Sequence, residues 1–243
     1  MALHFIDPAA GDVAAGDVLA LTGAEAHHAA NVRRVRVGEA VTVTDGRGVW
    51  LDGACESVAA REVLVRIVGR RDEPAPAPRI ALAQALAKGD RDELAVQAAT
   101  ELGVDEIVPW QAARSVSRWE GPKAEKGRAR WATIVREAAK QAHRAWLPEV
   151  VPVETTTELV RRASSSRMLV LDPTAEVRLS AVGLEDAASI LLVVGPEGGI
   201  APDELERLVG EGATPVRLGD TVLRTSTAGP AALALVNARL GRW

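Results

Sequence analysis

The sequence predicts an α/β protein, an open parallel sheet covered by helices, with a small β-rich domain ahead of it. Three observations carry this. The apolar run at 190–194, bounded by turn residues, reads as a strand buried on both faces, the mark of a parallel sheet under helices. Strand, helix and strand patterns alternate between residues 80 and 110, which implies a right-handed crossover. Ahead of a proline-rich stretch at 72–78, by contrast, apolar residues alternate in short runs, as in a small antiparallel barrel or sheet.

The 243 residues are 47% hydrophobic, ample for two modest domains or one large one. A formal charge of −4 argues against a wholesale polyanion binder, so any nucleic-acid contact must come from local basic patches. Cys55 is the single cysteine; it rules out an internal disulfide, fits a reducing cytosol and reads as a small buried apolar residue. No His/Cys cluster has metal spacing, so no metal is expected. The amino terminus lacks the basic and apolar regions of a signal peptide, and no segment is long enough to cross a bilayer, so a cytoplasmic protein is expected.

Residues 1–71 are the first expected domain, with strands at 41–44, 49–51 and 63–68 and a turn at 45–48. Inside it, residues 25–36 begin with helical spacing and concentrate His27, His28, Arg33, Arg34 and Arg36. Such a run fits either a solvated face or phosphate contact. The alternating prolines of 72–78 favour an extended spacer, and residues 79–243 are the second domain. Its first strand is 80–86, although periodicity alone leaves helix open. Asp90 with Glu93 resembles a capping box, Leu94, Ala98 and Leu102 share a helical face, and Gly103 stands at the C-cap. Residues 104–110 are a second strand ended near Pro109, and 168–171, 190–194 and 216–218 add three more. Between strands lies a basic region, Arg114, Arg118, Lys123, Lys126, Arg128 and Arg130, with Trp119 either stacking on a base or packing under its own loop. Trp131, Ile134, Val135, Ala138 and Ala142 then form one apolar stripe. A helix from about 226 to 240 is apolar nearly all round and needs partners on more than one side.

The chemistry concentrates in two loops. Directly after the 190–194 strand comes Gly195-Pro196-Glu197-Gly198-Gly199: three glycines permit close approach of bare backbone, and Glu197 is the only charge. That suits a loop touching a ligand at a strand's carboxyl end, where open α/β sheets place their sites. A plain strand-to-helix turn is the alternative, and the missing lysine argues against a P-loop. The second loop, Leu218-Gly219 through Leu223-Arg224, leads into Thr225-Ser226-Thr227, where hydroxyls can cap the helix and Pro230 suits its first turn. A guanidinium between two such loops is placed to hold a substrate oxygen or phosphate.

Gly195-Pro196-Glu197-Gly198-Gly199 followed by Leu218-Gly219, Leu223-Arg224 and Thr227-Ala228 resembles the paired signature of SPOUT-superfamily RNA methyltransferases, and within it the 16S ribosomal RNA uracil-N3 methyltransferase family. Further matches lie in Glu101-Leu102-Gly103-Val104, Ile107-Val108-Pro109, Arg114-Ser115-Val116, Trp131 to Glu137, Gln141 and Arg144, so the resemblance spans nearly the whole chain. It implies a SPOUT-like open parallel sheet with a carboxyl-terminal trefoil knot, a small PUA-like β-barrel at the amino end, a homodimer, S-adenosylmethionine as cofactor and the 16S rRNA of the small ribosomal subunit as partner. By the same resemblance the cofactor would be held by Leu171, Val194, Gly195, Pro196, Glu197, Gly198, Gly199, Ile200, Leu218, Gly219, Leu223, Arg224, Thr225, Thr227 and Ala228. RNA would meet His28, Arg33, Arg34, Arg36, Arg114, Arg118 and Arg144. Arg224 or Arg114 would stabilise charge on the base, with Glu197 or a water as candidate proton acceptor. One departure stands out: the family leads one to expect a basic residue beside the first aromatic, and here His4 precedes Phe5. Competing readings are a SPOUT enzyme acting on tRNA or ribose 2′-OH, and a catalytically silent RNA-binding module.

Overall fold

The computed structural model describes residues 2–184 and 186–243. The chain divides into two compact units, one made of the residues up to Ala75 together with Ala139–Leu147, the other of Pro76–Ala138 and Pro148–Trp243. The first unit thus takes in a segment from far beyond residue 71.

In the first unit, β1 (Leu3–Ile6), β2 (Val18–Thr22), β3 (Ala40–Thr44), β4 (Val49–Ala59) and β5 (Glu62–Asp72) make one sheet. Its order is β1-β3-β4-β5-β2, antiparallel except for β1 on β3. Period-two alternation points Phe5, Leu21, Val43, Leu51, Val65 and Ile67 to one core, and Cys55 lies buried among them. Register shifts at Asp52/Gly53 and Cys55/Ser57 bend β4. A Cβ at Gly53 would come within 2.7 Å of Val65, so the bend needs glycine there. The helical spacing at 25 becomes a short α1 (Gly23–His27) that continues as a π-helical turn, His28–Val32. Segment 139–147 is bound in by the Ala145 carbonyl, which accepts from the Thr44 hydroxyl at 2.9 Å, and by the Trp146 indole, which donates to the Glu73 carbonyl at 3.0 Å.

The second unit contains β6 (Arg79–Ala85), α2 (Arg91–Glu101), β7 (Glu106–Gln111), most of α3 (Pro122–Gln141), β8 (Glu149–Val150), β9 (Glu154–Thr155) and α4 (Thr156–Arg161). It continues through β10 (Arg167–Leu171), β11 (Ser189–Val194), α5 (Pro202–Gly210), β12 (Thr214–Val216) and α6 (Thr225–Arg239). The strands are parallel, in the order β12-β10-β11-β6-β7-β8, with β9 also on β7. β6 and β11 sit in the middle and are buried along almost their whole length, as an all-apolar strand requires.

Five local expectations are corrected. Pro109 does not end β7, which runs on to Gln111; Pro109 falls between the residues paired with β8 and those paired with β9, where no partner needs its missing N–H. The last strand is Thr214–Val216, not 216–218, and Pro215 is tolerated because β12 is the sheet edge. Asp90 makes no capping bond; instead the buried Asp92 accepts from the Ala87 amide at 3.0 Å, while Leu94 is 51% exposed and the small residues Ala95 and Ala99 face inward. α6 starts at Thr225 with Arg224 as an uncapped N-cap, and Pro230 lies inside the helix beyond the first turn. Nor is α6 buried all round. Ala232, Leu233 and Val236 are buried, whereas Ala231, Ala234, Leu235 and Ala238 keep partial or full exposure. Gly229 lets the helix approach the sheet, where a Cβ would meet Leu82 at 3.1 Å.

Trp119 packs against α3: its ring meets Trp131 edge-on at 5.0 Å and covers Gly127, where a Cβ would come within 2.4 Å of it. None of the described helices is long and apolar enough to cross a membrane.

Candidate active site

Three neighbouring strands, β11, β10 and β12, end on the same side of the sheet, and the chain leaving each forms the wall of one cavity of about 680 Å³. β10 contributes Leu171 to Thr174, β11 contributes Val194 to Ile200 without Gly198, and β12 leads through Leu218, Gly219 and Leu223 to Arg224, Thr225 and Ala228. This is the carboxyl edge of an open parallel sheet, where loops diverge and leave a crevice. The two glycine-bearing loops found in the sequence therefore meet, and a direct bond joins them: the Thr225 hydroxyl donates to the Gly195 carbonyl at 2.9 Å. The Thr225 hydroxyl oxygen also accepts from Gln84 Nε2 at 2.9 Å, so the start of α6 is tied to the end of β6 as well.

The shape of the first loop follows from its glycines. A Cβ on Gly195 would lie 2.7 Å from Ile200 Cγ1, so only bare backbone fits beneath that side chain. Gly199 has φ +72°, the left-handed region that glycine enters freely, and its amide closes a turn on the Pro196 carbonyl at 2.9 Å. The β10 loop is shaped by Asp172, whose carboxylate accepts from the Thr174 amide at 2.8 Å and hydroxyl at 2.7 Å. The Asp172 amide in turn donates to the Val216 carbonyl at 2.9 Å, which holds the β10 and β12 loops together.

Electrostatically, Glu197 is already engaged. Its carboxylate accepts from Arg91 Nη1 at 2.9 Å and from the Lys88 amide at 3.1 Å. Burial by itself would raise its pKa, but its own amide, the Lys88 amide and the Arg91 guanidinium together hold it below the usual carboxylate value. A carboxylate stabilised in this way is a poor proton acceptor, and its place at the loop's tip makes it a clamp on the loop. Arg224 is different: it lines the cavity, is exposed, and makes no side-chain bond among the described residues.

Arg114 lies beside the cavity wall, donating from Nη1 to the Gly198 carbonyl at 3.0 Å, and Arg118 folds back on Ala113 of the same loop. That loop is pinned by the buried Glu204, which accepts from the Ala113 amide at 2.9 Å and makes a very short bond with the Thr156 hydroxyl. Gly198 and Thr227 stand outside the cavity lining. Of the residues assigned to RNA, Arg114 and Arg118 belong to the second unit; His28, Arg33, Arg34, Arg36 and Arg144 belong to the first. There Arg33, Arg34 and Arg36 are exposed, while His28 is half-buried with its ring edge-on to Phe5. Lining residues that the sequence did not single out include Arg91, Asp172, Arg217 and Val222. Asp172-Pro173-Thr174 carries a local turn signal; Arg91 carries none, because its partner is over a hundred residues away.

Comparison with known proteins accords with this geometry. The model of an RNA methyltransferase domain matches residues 73–237, and that of an RNA methyltransferase PUA domain matches 21–68. Fold and cavity thus define an RNA methyltransferase of the α/β, parallel-sheet kind that carries a PUA domain. The ribosomal RNA small subunit methyltransferase E of Mycobacterium bovis is 44% identical over 94% of this chain and 89% of its own length, and that of Bacillus subtilis is 32% identical over 98% and 96%. A crystal structure of ribosomal RNA small subunit methyltransferase E from Neisseria gonorrhoeae bound to S-adenosyl methionine superposes with a TM-score of 0.89, covering 98% of both chains at 28% identity. The chain belongs to the ribosomal RNA small subunit methyltransferase E family.

Proposed function

We propose that the cavity binds S-adenosylmethionine and that the protein uses it to methylate N3 of a uracil in the 16S rRNA of the small ribosomal subunit. The observation that carries this is the convergence of residues 194–200 and 216–228 on one pocket, joined by the Thr225–Gly195 bond. The residues fit the group: Leu171, Ile200 and Leu223 supply apolar walls for a flat heterocycle, and Gly195, Gly199 and Gly219 line the cavity without side chains to fill it. The volume falls within the roughly 300–1,000 Å³ of ordinary cofactor clefts.

Bound there, the cofactor would supply an electrophilic methyl carbon on a cationic sulfur, for an acceptor nitrogen that gives up its proton to solvent. This chain's residues position and polarise. Arg224, a cation at the cavity wall with no side-chain partner among the described residues, stabilises the negative charge that deprotonation at N3 puts on the flanking carbonyl oxygens. Arg114, on the adjoining loop, holds the incoming RNA, and Glu197 with Arg91 fixes the loop between them. Exposed Arg33, Arg34 and Arg36 of the first unit supply phosphate contacts. Two further readings belong with this one. The partly exposed small-residue face of α6 is the surface for a second copy in a homodimer, and Arg239, which donates to the carbonyls of Leu179, Ser180 and Val182, holds α6 within the connection that makes the trefoil knot. The cytoplasm, where ribosomes are found, is the expected place of action.

Titration calorimetry with S-adenosylmethionine tests the cofactor, and nucleoside mass analysis of 16S rRNA from cells lacking the gene tests the product. No heat of binding would favour a silent RNA-binding module; unchanged 3-methyluridine would move the substrate to tRNA or a ribose hydroxyl. An Arg224→Ala enzyme should bind cofactor yet lose most of kcat, and light scattering should give twice the monomer mass.

A further inference from the structure

The first unit contains a cluster of flat side chains away from the cavity. The Arg71 guanidinium lies 4.4 Å from the centre of the Trp50 ring; His4 stacks on Trp50 at 4.7 Å and 20° and on His143 at 5.1 Å and 27°; and His143 lies tilted against Trp50 at 6.5 Å and 35°, so the three rings close into a compact triangle. Trp50 and His4 are each 7% exposed, whereas His143, the outermost ring, is only half-buried. His4 is thus a packed ring that touches both of the others. His143 is also held in an unusual backbone. Among the described residues, the non-glycine residues with positive φ are Arg34 and His143, both at 52°. Such conformations persist where surrounding structure enforces them, and they gather at ligand clamps. Burial, then the charge of Arg33, keeps the His143 pKa below the ordinary histidine value, so the ring is neutral at pH 7 and Arg33, the chain neighbour of Arg34, is near it. Arg33 and Arg34 are exposed and make no ion pair among the described residues.

We propose that His143 is a platform on which an unpaired base of the substrate RNA stacks, adding a fourth ring to the cluster, with Arg33 and Arg34 holding the flanking phosphates. A neutral ring backed by His4 and by the tilted Trp50 offers a rigid π-face, and stacking of this kind accepts any base. Exposed guanidiniums supply the sequence-independent phosphate contacts. The proposal rests on RNA being the substrate.

The test uses the full chain and a labelled fragment of small-subunit rRNA in fluorescence anisotropy across a salt series. His143→Asn removes the ring but tolerates the left-handed backbone, and His143→Phe keeps a π-face. Asn should weaken RNA binding about tenfold or more with the slope of log affinity against log salt unchanged, and Phe should remain within about twofold of wild type. Arg33→Ala with Arg34→Ala should lower that slope by roughly 1–2. Calorimetry with S-adenosylmethionine should be unaltered in all of them. Asn binding like wild type, or Phe as weak as Asn at an unchanged melting temperature, would overturn the platform alone. Wild-type protein that bound no RNA would overturn the substrate reading, and the platform with it.

Discussion

Glu204 offers a direct test of how the active-site loops are held. Its buried carboxylate, 7% exposed, joins the loop after β7, through the Ala113 amide, to α4, through the Thr156 hydroxyl, and it stands in the first turn of α5 just beyond the glycine loop. Glu204→Ala leaves an amide and a hydroxyl without their acceptor. Each such charge-assisted bond contributes about 1.5–3 kcal/mol, and relief of carboxylate desolvation offsets part of the loss, so the net cost is about 3 kcal/mol. For a chain of this size that lowers Tm by roughly 6–12 °C. Glu204→Gln keeps one acceptor oxygen and should cost about 1 kcal/mol. Because Arg114 follows Ala113 directly, the Ala variant should also lose kcat, on the order of tenfold or more for a displacement near 1 Å, while cofactor affinity holds. Differential scanning fluorimetry and steady-state methylation read both. An Ala variant melting within about 2 °C of wild type, or a Gln variant as damaged as Ala, would refute the assignment of Glu204 as the pin.

Three further outcomes are expected. Gly195→Ala drives a methyl into Ile200 at 2.7 Å, and an overpacking cost of about 1–3 kcal/mol should weaken cofactor binding roughly 5- to 150-fold in calorimetry. Gly127→Ala should destabilise although alanine is the better helix former by about 1 kcal/mol, because its Cβ would enter the Trp119 ring; urea unfolding that showed stabilisation would contradict that packing. The His4 pKa is lowered to about 4, chiefly by burial and then by His143, so the unfolded chain takes up that proton first as pH falls. This contribution is complete above about pH 6.5 and is lost on acidification towards pH 4, by roughly 3 kcal/mol in total, and His4→Gln should flatten that part of the pH dependence in denaturant titrations.

Much of this was legible in the sequence because the parallel sheet writes itself in uninterrupted Val, Leu and Ile, and because Gly195 to Gly199 can be nothing but loop. What misled has physical causes. A strand such as Thr214–Val216 is disguised by its proline, which an edge accepts. The inward face of α2 is made of alanines, since α2 packs closely on α6, so the larger Leu94 draws attention to the solvent side. Glu197 reads as chemistry until its partner is known, and Arg91 pairs with it from over a hundred residues away. The cluster of His4, Trp50 and His143 is invisible for the same reason: its members come from both ends of a unit that the chain leaves and re-enters.

The Thr225 hydroxyl bears on how the protein is made. By gripping both Gly195 and Gln84, it lets the pocket exist only when β6, β11 and the first turn of α6 are assembled, elements separated by most of the second unit. A growing chain that has produced the entire sheet but not yet α6 should therefore be blind to the nucleoside, and ligand affinity during synthesis or refolding should arrive in one step, as a signal that the fold is finished.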